Sequence, residues 1–289
     1  MSGRPIATLR APGGRSGSWR WELSAGDDGQ TPLNVPLPRL DLRELLGKIA
    51  EVDRVHAGSE YTYAVAARNA VVERLLTNTW STVVKPLTRY LGGVPSLTVR
   101  VPDELVRLPI ATARCSASGE SLVHMSDVTL QPILGPTPSG VVVVPEEPAA
   151  YRPRLAGAHR PHRWYSNARI HRLDGHRQDI RELLQDVAVS STDTVLLMGC
   201  RTVDLLPHIK RCGTTAVVAT LWDVEDRACG SLGDDLVAAI PNGLSPAEAL
   251  RSVQALWSSR PPFEWAAYVV VEPLSPQPLH STVPELVVR

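Results

Sequence analysis

The chain has 289 residues, a length typical of two domains or of one large α/β domain. Apolar residues make up 43% of it, which is enough to bury a substantial core and excludes wholesale disorder. Thirty basic and thirty acidic residues give no net charge, so we expect no direct nucleic-acid partner.

The sequence shows no sign of a membrane, metal or cofactor requirement. Its longest apolar runs, such as residues 140–145, are far shorter than the ~20 residues of a membrane span, and the start MSGRP lacks the apolar core of a signal peptide. The four cysteines (115, 200, 212 and 229) have neither CxxC spacing nor paired histidines nearby, and no Gly-rich phosphate loop follows a predicted strand. We therefore expect a soluble cytoplasmic protein without a bound metal or cofactor.

A β-hairpin and two helices are predicted in the first ninety residues. Trp19–Leu23 alternates between polar and apolar residues as a half-buried strand does, and Leu33–Leu37 is predicted as the return strand. Helical periodicity begins at Asp41. A second, long helix is predicted from Tyr63 to Tyr90, with a kink or an end at Pro86.

The middle of the chain is predicted to consist of short strands and a long loop. The Arg- and His-rich stretch Tyr151–Arg172 has no periodicity and is predicted as a loop. The predicted strands are Ser96–Val101, Leu122–His124, Val128–Leu130 and Gly140–Val144.

Strands and helices alternate over the last hundred residues, which is typical of βαβ units in a mostly parallel sheet. The predicted strands are Asp193–Met198, Thr215–Leu221 and Trp265–Val271. The predicted helices are Asp179–Val187, Val203–Arg211, Ala228–Ala239 and Ser245–Ser258.

Cys200 follows the first of these strands and precedes a predicted helix. Reactive residues of open α/β sheets collect where strands end, and a thiol near a helix N-terminus has a lowered pKa. Cys200 is therefore a candidate nucleophile, and the alternative is a buried cysteine that acts as a small apolar residue. Asp223, Glu225 and Asp226 follow the next strand and form either a rim for a cationic ligand or a solvated turn in which Asp226 caps a helix.

Three segments carry a family resemblance. Met198–Thr202, with the sequence MGCRT, is similar to a SAC-x-T motif around a catalytic cysteine, and Gly213–Trp222 is similar to the strand that follows that motif. The letters LWDVED at residues 221–226 are similar to LWDVTD of separases. These segments are the most specific part of a resemblance to the CHAT domain, a caspase-like fold related to separases. The resemblance extends over roughly residues 70 to 275, through similar segments at Trp80–Leu91, Val101–Ile110, Glu248–Leu250 and Trp265–Tyr268.

The resemblance implies an α/β fold whose caspase-like, mostly parallel sheet is flanked by helices. It divides the chain into an N-terminal strand-and-helix extension, residues 1–62, and a CHAT domain, residues 63–289. It also implies a cysteine endopeptidase that acts on a protein or peptide substrate and is gated by an activating partner protein. The alternative is a catalytically degenerate CHAT domain that serves as a non-enzymatic adaptor or scaffold.

The resemblance further implies two sets of site residues. The family's catalytic histidine lies roughly forty positions before the cysteine, and His159 lies 41 positions before Cys200. A competing alignment places no histidine there and leaves His162 and His176 as candidates. The loop after the next strand helps form the pocket for the substrate residue before the scissile bond, so Asp223, and after it Asp226, is expected to bind an arginine there.

Overall fold

The structure is a computed structural model that describes residues 4–11, 18–24, 32–37, 40–57, 61–133, 162–166, 169–190, 192–209 and 216–272. Within these residues ten strands form one sheet. The strands are β1 (Ile6–Arg10), β2 (Trp19–Ser24), β3 (Leu33–Leu37), β4 (Ser96–Pro102), β5 (Asp127–Ile133), β6 (His162–Tyr165), β7 (Ile170–Asp174), β8 (Thr194–Met198), β9 (Ala216–Thr220) and β10 (Tyr268–Val271). Their order across the sheet is β3-β2-β1-β4-β5-β10-β9-β8-β7-β6.

The sheet contains two parallel groups of strands. β1, β4, β5 and β10 run in one direction, and β7, β8 and β9 form the second group. The groups meet where β10 pairs antiparallel with β9, and antiparallel hairpins complete both ends of the sheet. The predicted α/β class with a mostly parallel sheet is therefore confirmed. Every residue of β8 and β9 is buried, which explains their almost continuous apolar sequences.

Helices flank this sheet. Met198 of β8 lies against Gly233 of one helix, Asp226–Ala239, and Gly199, the residue after that strand, lies against Ile180 of another, Arg177–Asp186. These two helices flank the parallel strands. The helices are α1 (Leu42–Ala57), α2 (Tyr61–Thr79), α3 (Lys85–Leu91), α4 (Leu122–Met125), α5 (Arg177–Asp186), α6 (Leu206–Ile209), α7 (Asp226–Ala239), α8 (Pro246–Trp257) and α9 (Pro262–Trp265).

Pro86 changes the helical geometry without ending the helix. A π-helical segment, Trp80–Val84, joins α2 to α3, and the Lys85 N–H donates to the carbonyl of Trp80, five residues back. A proline has no N–H and its ring would clash with the carbonyl four residues before it, so the wider π turn relieves that clash. The indole of Trp21 on β2 donates to the Val83 carbonyl at 2.8 Å and ties the N-terminal hairpin to this segment.

Two secondary-structure elements are predicted wrongly from the sequence. The segment predicted as a loop contains β6 and β7 within residues 162–172, and Leu122–His124 is part of the single helical turn α4 instead of a strand. A four-residue turn is too short to show helical periodicity in the sequence. The predicted strand Gly140–Val144 lies outside the described residues.

One apolar core joins the N-terminal strands to the rest of the described chain. Its buried residues extend from Ala7 on β1 to Val271 on β10, and β1 pairs with β4 in parallel. The predicted domain boundary between residues 62 and 63 stays a prediction. Among the described helices, none has the length and apolar character required to cross a membrane.

The close approach of β7 and β8 yields a stability test at Gly199. A Cβ at this position would overlap the Gly175 carbonyl oxygen and lie 2.6 Å from Ile180 Cδ1. We expect Gly199→Ala to lower the free energy of unfolding by about 1–3 kcal/mol, measured by urea denaturation. Gly47→Ala, at an exposed position of α1, is the matched control, because no atom lies within 4 Å of the added Cβ and alanine favours helix by up to about 1 kcal/mol. Equal stability of the two variants would contradict the close packing.

Candidate active site

Cys200 lies in the loop directly after β8, at the edge where the parallel strands β7, β8 and β9 end. Two buried threonines fix this loop. Thr202 N–H donates to Thr220 Oγ1 at 3.0 Å, and Thr220 N–H donates back to Thr202 Oγ1 at 2.9 Å. The Thr202 hydroxyl donates to the Leu197 carbonyl, and the Thr220 hydroxyl donates to the Gly199 carbonyl. The backbone on both sides of Cys200 is therefore fixed to the end of β9.

The thiol of Cys200 is held in its protonated form. It donates to the carbonyl of Val224 at 3.6 Å. Burial raises the pKa of Cys200 to about 12, and the negative charge of Asp223 and the weaker effect of Asp226 act in the same direction. The lowered pKa expected from the sequence is therefore wrong, because burial and the negative charges of Asp223 and Asp226 all raise the pKa of this thiol.

The structure brings Asp223 and Asp226 together with Cys200. Asp223 is half-buried in the loop after β9, and its charge also raises the pKa of Arg201. Asp226 is the first residue of α7 and is exposed, whereas the N-cap position belongs to Glu225, which makes no side-chain cap hydrogen bond. The alternative in which Asp226 caps the helix is therefore wrong.

Arg201 follows Cys200 in a left-handed backbone conformation, with φ of 51°. Its guanidinium contacts Asp204 through Nε at 3.0 Å and Asp53 of α1 through Nη1 at 3.2 Å. Burial lowers the pKa of Arg201, but the carboxylates around it outweigh burial and the net shift is upward. The sequence did not point to Arg201 or Asp53, because a charge on an amphipathic helix is typical of a solvated face.

The register of β7 and β8 places His176 at the same edge of the sheet as Cys200. Asp174 pairs with Met198 at the end of these parallel strands, and His176 and Cys200 each follow two residues later. His176 is half-buried at the N-cap position of α5, where its side chain makes no cap hydrogen bond. His159 lies outside the described residues.

Buried Arg172 fixes the end of β7. Its side chain is 2% exposed, and it donates to Asp174 at 2.8 Å, to Asp234 of α7 and to the Gly230 carbonyl at 3.1 Å. Burial lowers the pKa of Arg172, but the two carboxylates outweigh it and raise the pKa. The residues that lead into His176 are therefore held against the helix that begins at Asp226.

His162 belongs to a separate cluster on β6 and β7. Its Nε2 lies 3.2 Å from Nδ1 of buried His171, whose Nε2 lies 3.3 Å from Asp193 Oδ2. The His162 and His171 rings stack at 5.5 Å between centroids, and the half-exposed ring of Trp164 lies 4.1 Å from His171. The structure thus gives His162 a partner other than Cys200.

Cys115 has the opposite electrostatic environment to Cys200. Hydrogen bonds from the side chain and backbone of Ser118, together with the Ala117 N–H, lower the pKa of Cys115. Glu120 and burial oppose this effect but do not reverse it. Cys115 is therefore the described cysteine whose surroundings favour the thiolate.

Within the described ranges, no group of three or more His, Cys, Asp or Glu side chains could hold a metal ion. A cavity of about 250 Å³ lies at the start of α8, away from Cys200, and Arg4, Asp127, Glu248 and Glu272 contribute its charged lining. Cys200 therefore stays the candidate centre for chemistry.

Comparison with known proteins agrees with this architecture. The family model described as CHAT domain matches residues 155–272, which include β6 to β10, Cys200 and both acidic residues near it. The mostly parallel sheet flanked by helices is consistent with the caspase-like fold of this peptidase-related family. Residues 155–272 are a CHAT domain, as the resemblance of the motifs predicted. No curated protein matched the chain.

The two pKa shifts predict an order of thiol reactivity. At neutral pH we expect iodoacetamide to alkylate Cys115 faster than Cys200, because the thiolate is the nucleophile and the pKa of Cys200 is about 12. Peptide mapping by mass spectrometry after timed alkylation measures both rates, and Cys115→Ser identifies the fast site. Faster alkylation of Cys200 would contradict the protonated thiol.

The histidine cluster predicts a loss of stability in mild acid. Burial and the neighbouring His171 lower the pKa of His162 below its usual 6.5, so the unfolded chain takes up a proton before the folded protein does. The free energy of unfolding should therefore fall between about pH 7.5 and about pH 5.5, measured by urea denaturation. The fall should be smaller in His162→Gln and unchanged in His124→Gln, an exposed histidine of α4. An identical fall in all three proteins would show that His162 is not its source.

Proposed function

We propose that this CHAT-domain protein is a cysteine endopeptidase in which Cys200 attacks the peptide bond. The observation that carries the proposal is the strand register, which brings His176 and Cys200 to equivalent positions after neighbouring parallel strands. A thiol and an imidazole at one sheet edge are the two groups that this chemistry needs.

The histidine would perform two proton transfers. It would accept the proton of the Cys200 thiol, the thiolate would add to the carbonyl carbon, and the imidazolium would protonate the leaving amine. Backbone N–H groups near Gly199 would stabilise the oxyanion. His176 is favoured by the register, and His159 keeps the position that the family resemblance implies, three residues before β6 begins.

We propose that the substrate residue before the scissile bond is arginine and that it binds to Asp223 and Asp226. Both carboxylates already raise the pKa of Cys200, so both are within electrostatic range of the thiol. A guanidinium bound between them would offset their charge and lower the pKa of Cys200. The substrate would thus help to form the thiolate that attacks it.

The resting site needs such a trigger, because a thiol with a pKa of about 12 is almost entirely protonated at neutral pH. A partner protein could also promote the thiolate, either by placing a cationic group near Cys200 or by holding the histidine within hydrogen-bond distance of the thiol. We therefore include gating by an activating partner in the proposal. A cytoplasmic location is also part of it, since Cys115, Cys200 and Cys229 are free thiols.

A second candidate function is a non-enzymatic scaffold. It is favoured by the same raised pKa and by the hydrogen bond from the thiol to the Val224 carbonyl, which give Cys200 a structural role. In that case the surface of the CHAT domain would bind partner proteins and Cys200 would only stabilise the loop.

A peptide-library cleavage assay distinguishes the two functions. We expect cleavage after arginine and much less after lysine, and we expect Cys200→Ala to reduce kcat/KM by about three orders of magnitude or more. His176→Ala and His159→Ala identify the general base, with His124→Ala as a distant control. Asp226→Asn should reduce the preference for arginine, because one of the two carboxylates is lost.

Three results would contradict the endopeptidase. Undiminished cleavage by Cys200→Ala would exclude the nucleophile, and dominant cleavage after aspartate or large apolar residues would exclude the arginine pocket. No cleavage of any library peptide, alone or with a cell extract as the source of an activator, would favour the scaffold.

A further inference from the structure

Asp53 on α1 lies outside the residues that match the CHAT family, yet it contacts the cysteine site from the N-terminal side of the chain. Its side chain is 20% exposed. Both of its oxygens accept hydrogen bonds from Arg107 Nη2, at 2.8 and 2.9 Å, and Oδ2 also accepts from Arg201 Nη1 at 3.2 Å. One carboxylate therefore holds two arginines that approach it from different segments.

Each of these arginines is attached to one of the two loops around Cys200. Arg201 is the next residue after the cysteine, in the loop after β8. Arg107 donates from both Nε and Nη2, at 3.2 Å each, to the carbonyl of Leu221, where the loop after β9 begins. That second loop contains Val224, whose carbonyl accepts the hydrogen bond of the Cys200 thiol. Asp53 thus couples the loop that carries the thiol to the loop that receives its hydrogen bond.

The backbone at Arg201 needs this support. A φ of 51° is unfavourable for a residue with a Cβ and persists only where the surroundings enforce it. Arg201 N–H donates to the Trp222 carbonyl at 3.3 Å, and its guanidinium bonds to Asp53 and Asp204. Arg177 of α5 in turn donates to Asp204 at 2.7 Å. Asp53 is the member of this network that comes from the N-terminal helices.

We propose that Asp53 is a positioning residue. By binding Arg201 and Arg107 together, it holds the Cys200 thiol at the Val224 carbonyl. The expected effect on kcat rests on the proposed endopeptidase function. The expected effect on the position and alkylation rate of the Cys200 thiol does not. Two separate measurements therefore test the proposal.

The principal variant is Asp53→Asn in the full-length chain, because asparagine keeps the shape and removes the charge that both arginines need. Because its hydrogen bond to the Val224 carbonyl is weakened, Cys200 should react with iodoacetamide about tenfold faster than in the wild type. Peptide mapping measures this rate separately from that of Cys115. The kcat for an arginine peptide should fall about tenfold or more with little change in KM, because the nucleophile is displaced from its attack position. Faster alkylation combined with slower turnover is a result that general destabilisation of α1 does not produce in a protein that stays folded.

Three further variants separate positioning from folding. Glu51→Gln removes the neighbouring exposed carboxylate of α1, which pairs with Arg74, and should leave both rates unchanged. Asp53→Glu keeps the charge, so its alkylation rate and its kcat should lie between those of Asp53→Asn and those of the wild type. Arg107→Lys keeps a positive charge but loses the fork that joins Asp53 to Leu221, so it should change both rates in the same direction as Asp53→Asn. If Asp53→Asn does not fold, as judged by circular dichroism and thermal unfolding, Arg107→Lys decides the question.

Unchanged Cys200 alkylation within about twofold in both Asp53→Asn and Arg107→Lys would overturn the positioning role. Faster alkylation in these variants, with no peptide cleavage by any form of the protein, would support the positioning role and reject the proposed endopeptidase.

Discussion

Thr202 and Thr220 join the ends of β8 and β9 inside the protein, where water cannot replace a lost hydrogen bond. Each hydroxyl accepts from the backbone N–H of the other threonine and donates to a carbonyl, so every polar group of the pair is satisfied. The two strands cannot shift past each other without breaking the three of these bonds that join the loop after β8 to Thr220 of β9. The place of Cys200 in the sheet, and its distance from the Val224 carbonyl, depend on this constraint.

Electrostatics around the cysteine explain why a well-placed thiol stays protonated. Arg201 carries a positive charge next to Cys200, but that charge is directed to Asp53, Asp204 and Asp223. The thiol itself faces carboxylates, and burial withholds the solvation that a thiolate needs. The described surroundings of the thiol thus supply negative charge, and the proposed arginine of the substrate would supply the positive charge that a thiolate needs. Without such a cation, the same arrangement is that of the alternative scaffold.

Local sequence predicted the parts of the fold that depend on local patterns. β8 and β9 were predicted because buried parallel strands are almost continuously apolar, whereas the MGCRT motif was recognised by its resemblance to a family motif. β6 and β7 were missed because His171 and Arg172 are buried only where Asp193 and Asp234, distant in the sequence, pair with them. Asp53 was missed for the same reason, since its arginine partners lie 54 and 148 positions away. Long-range charge pairing has no periodic signature in a single sequence.

The position of β10 between β5 and β9 has a consequence for synthesis of the chain. This strand joins the two parallel groups, yet it is the last strand of the described sequence to leave the ribosome. Until it is made, β5 on one side and β9 on the other each present an unpaired edge, and unpaired edges recruit other chains. The nascent protein therefore holds its cysteine loop in an unfinished sheet between the synthesis of Cys200 and that of β10, and the described core closes only when β10 is inserted.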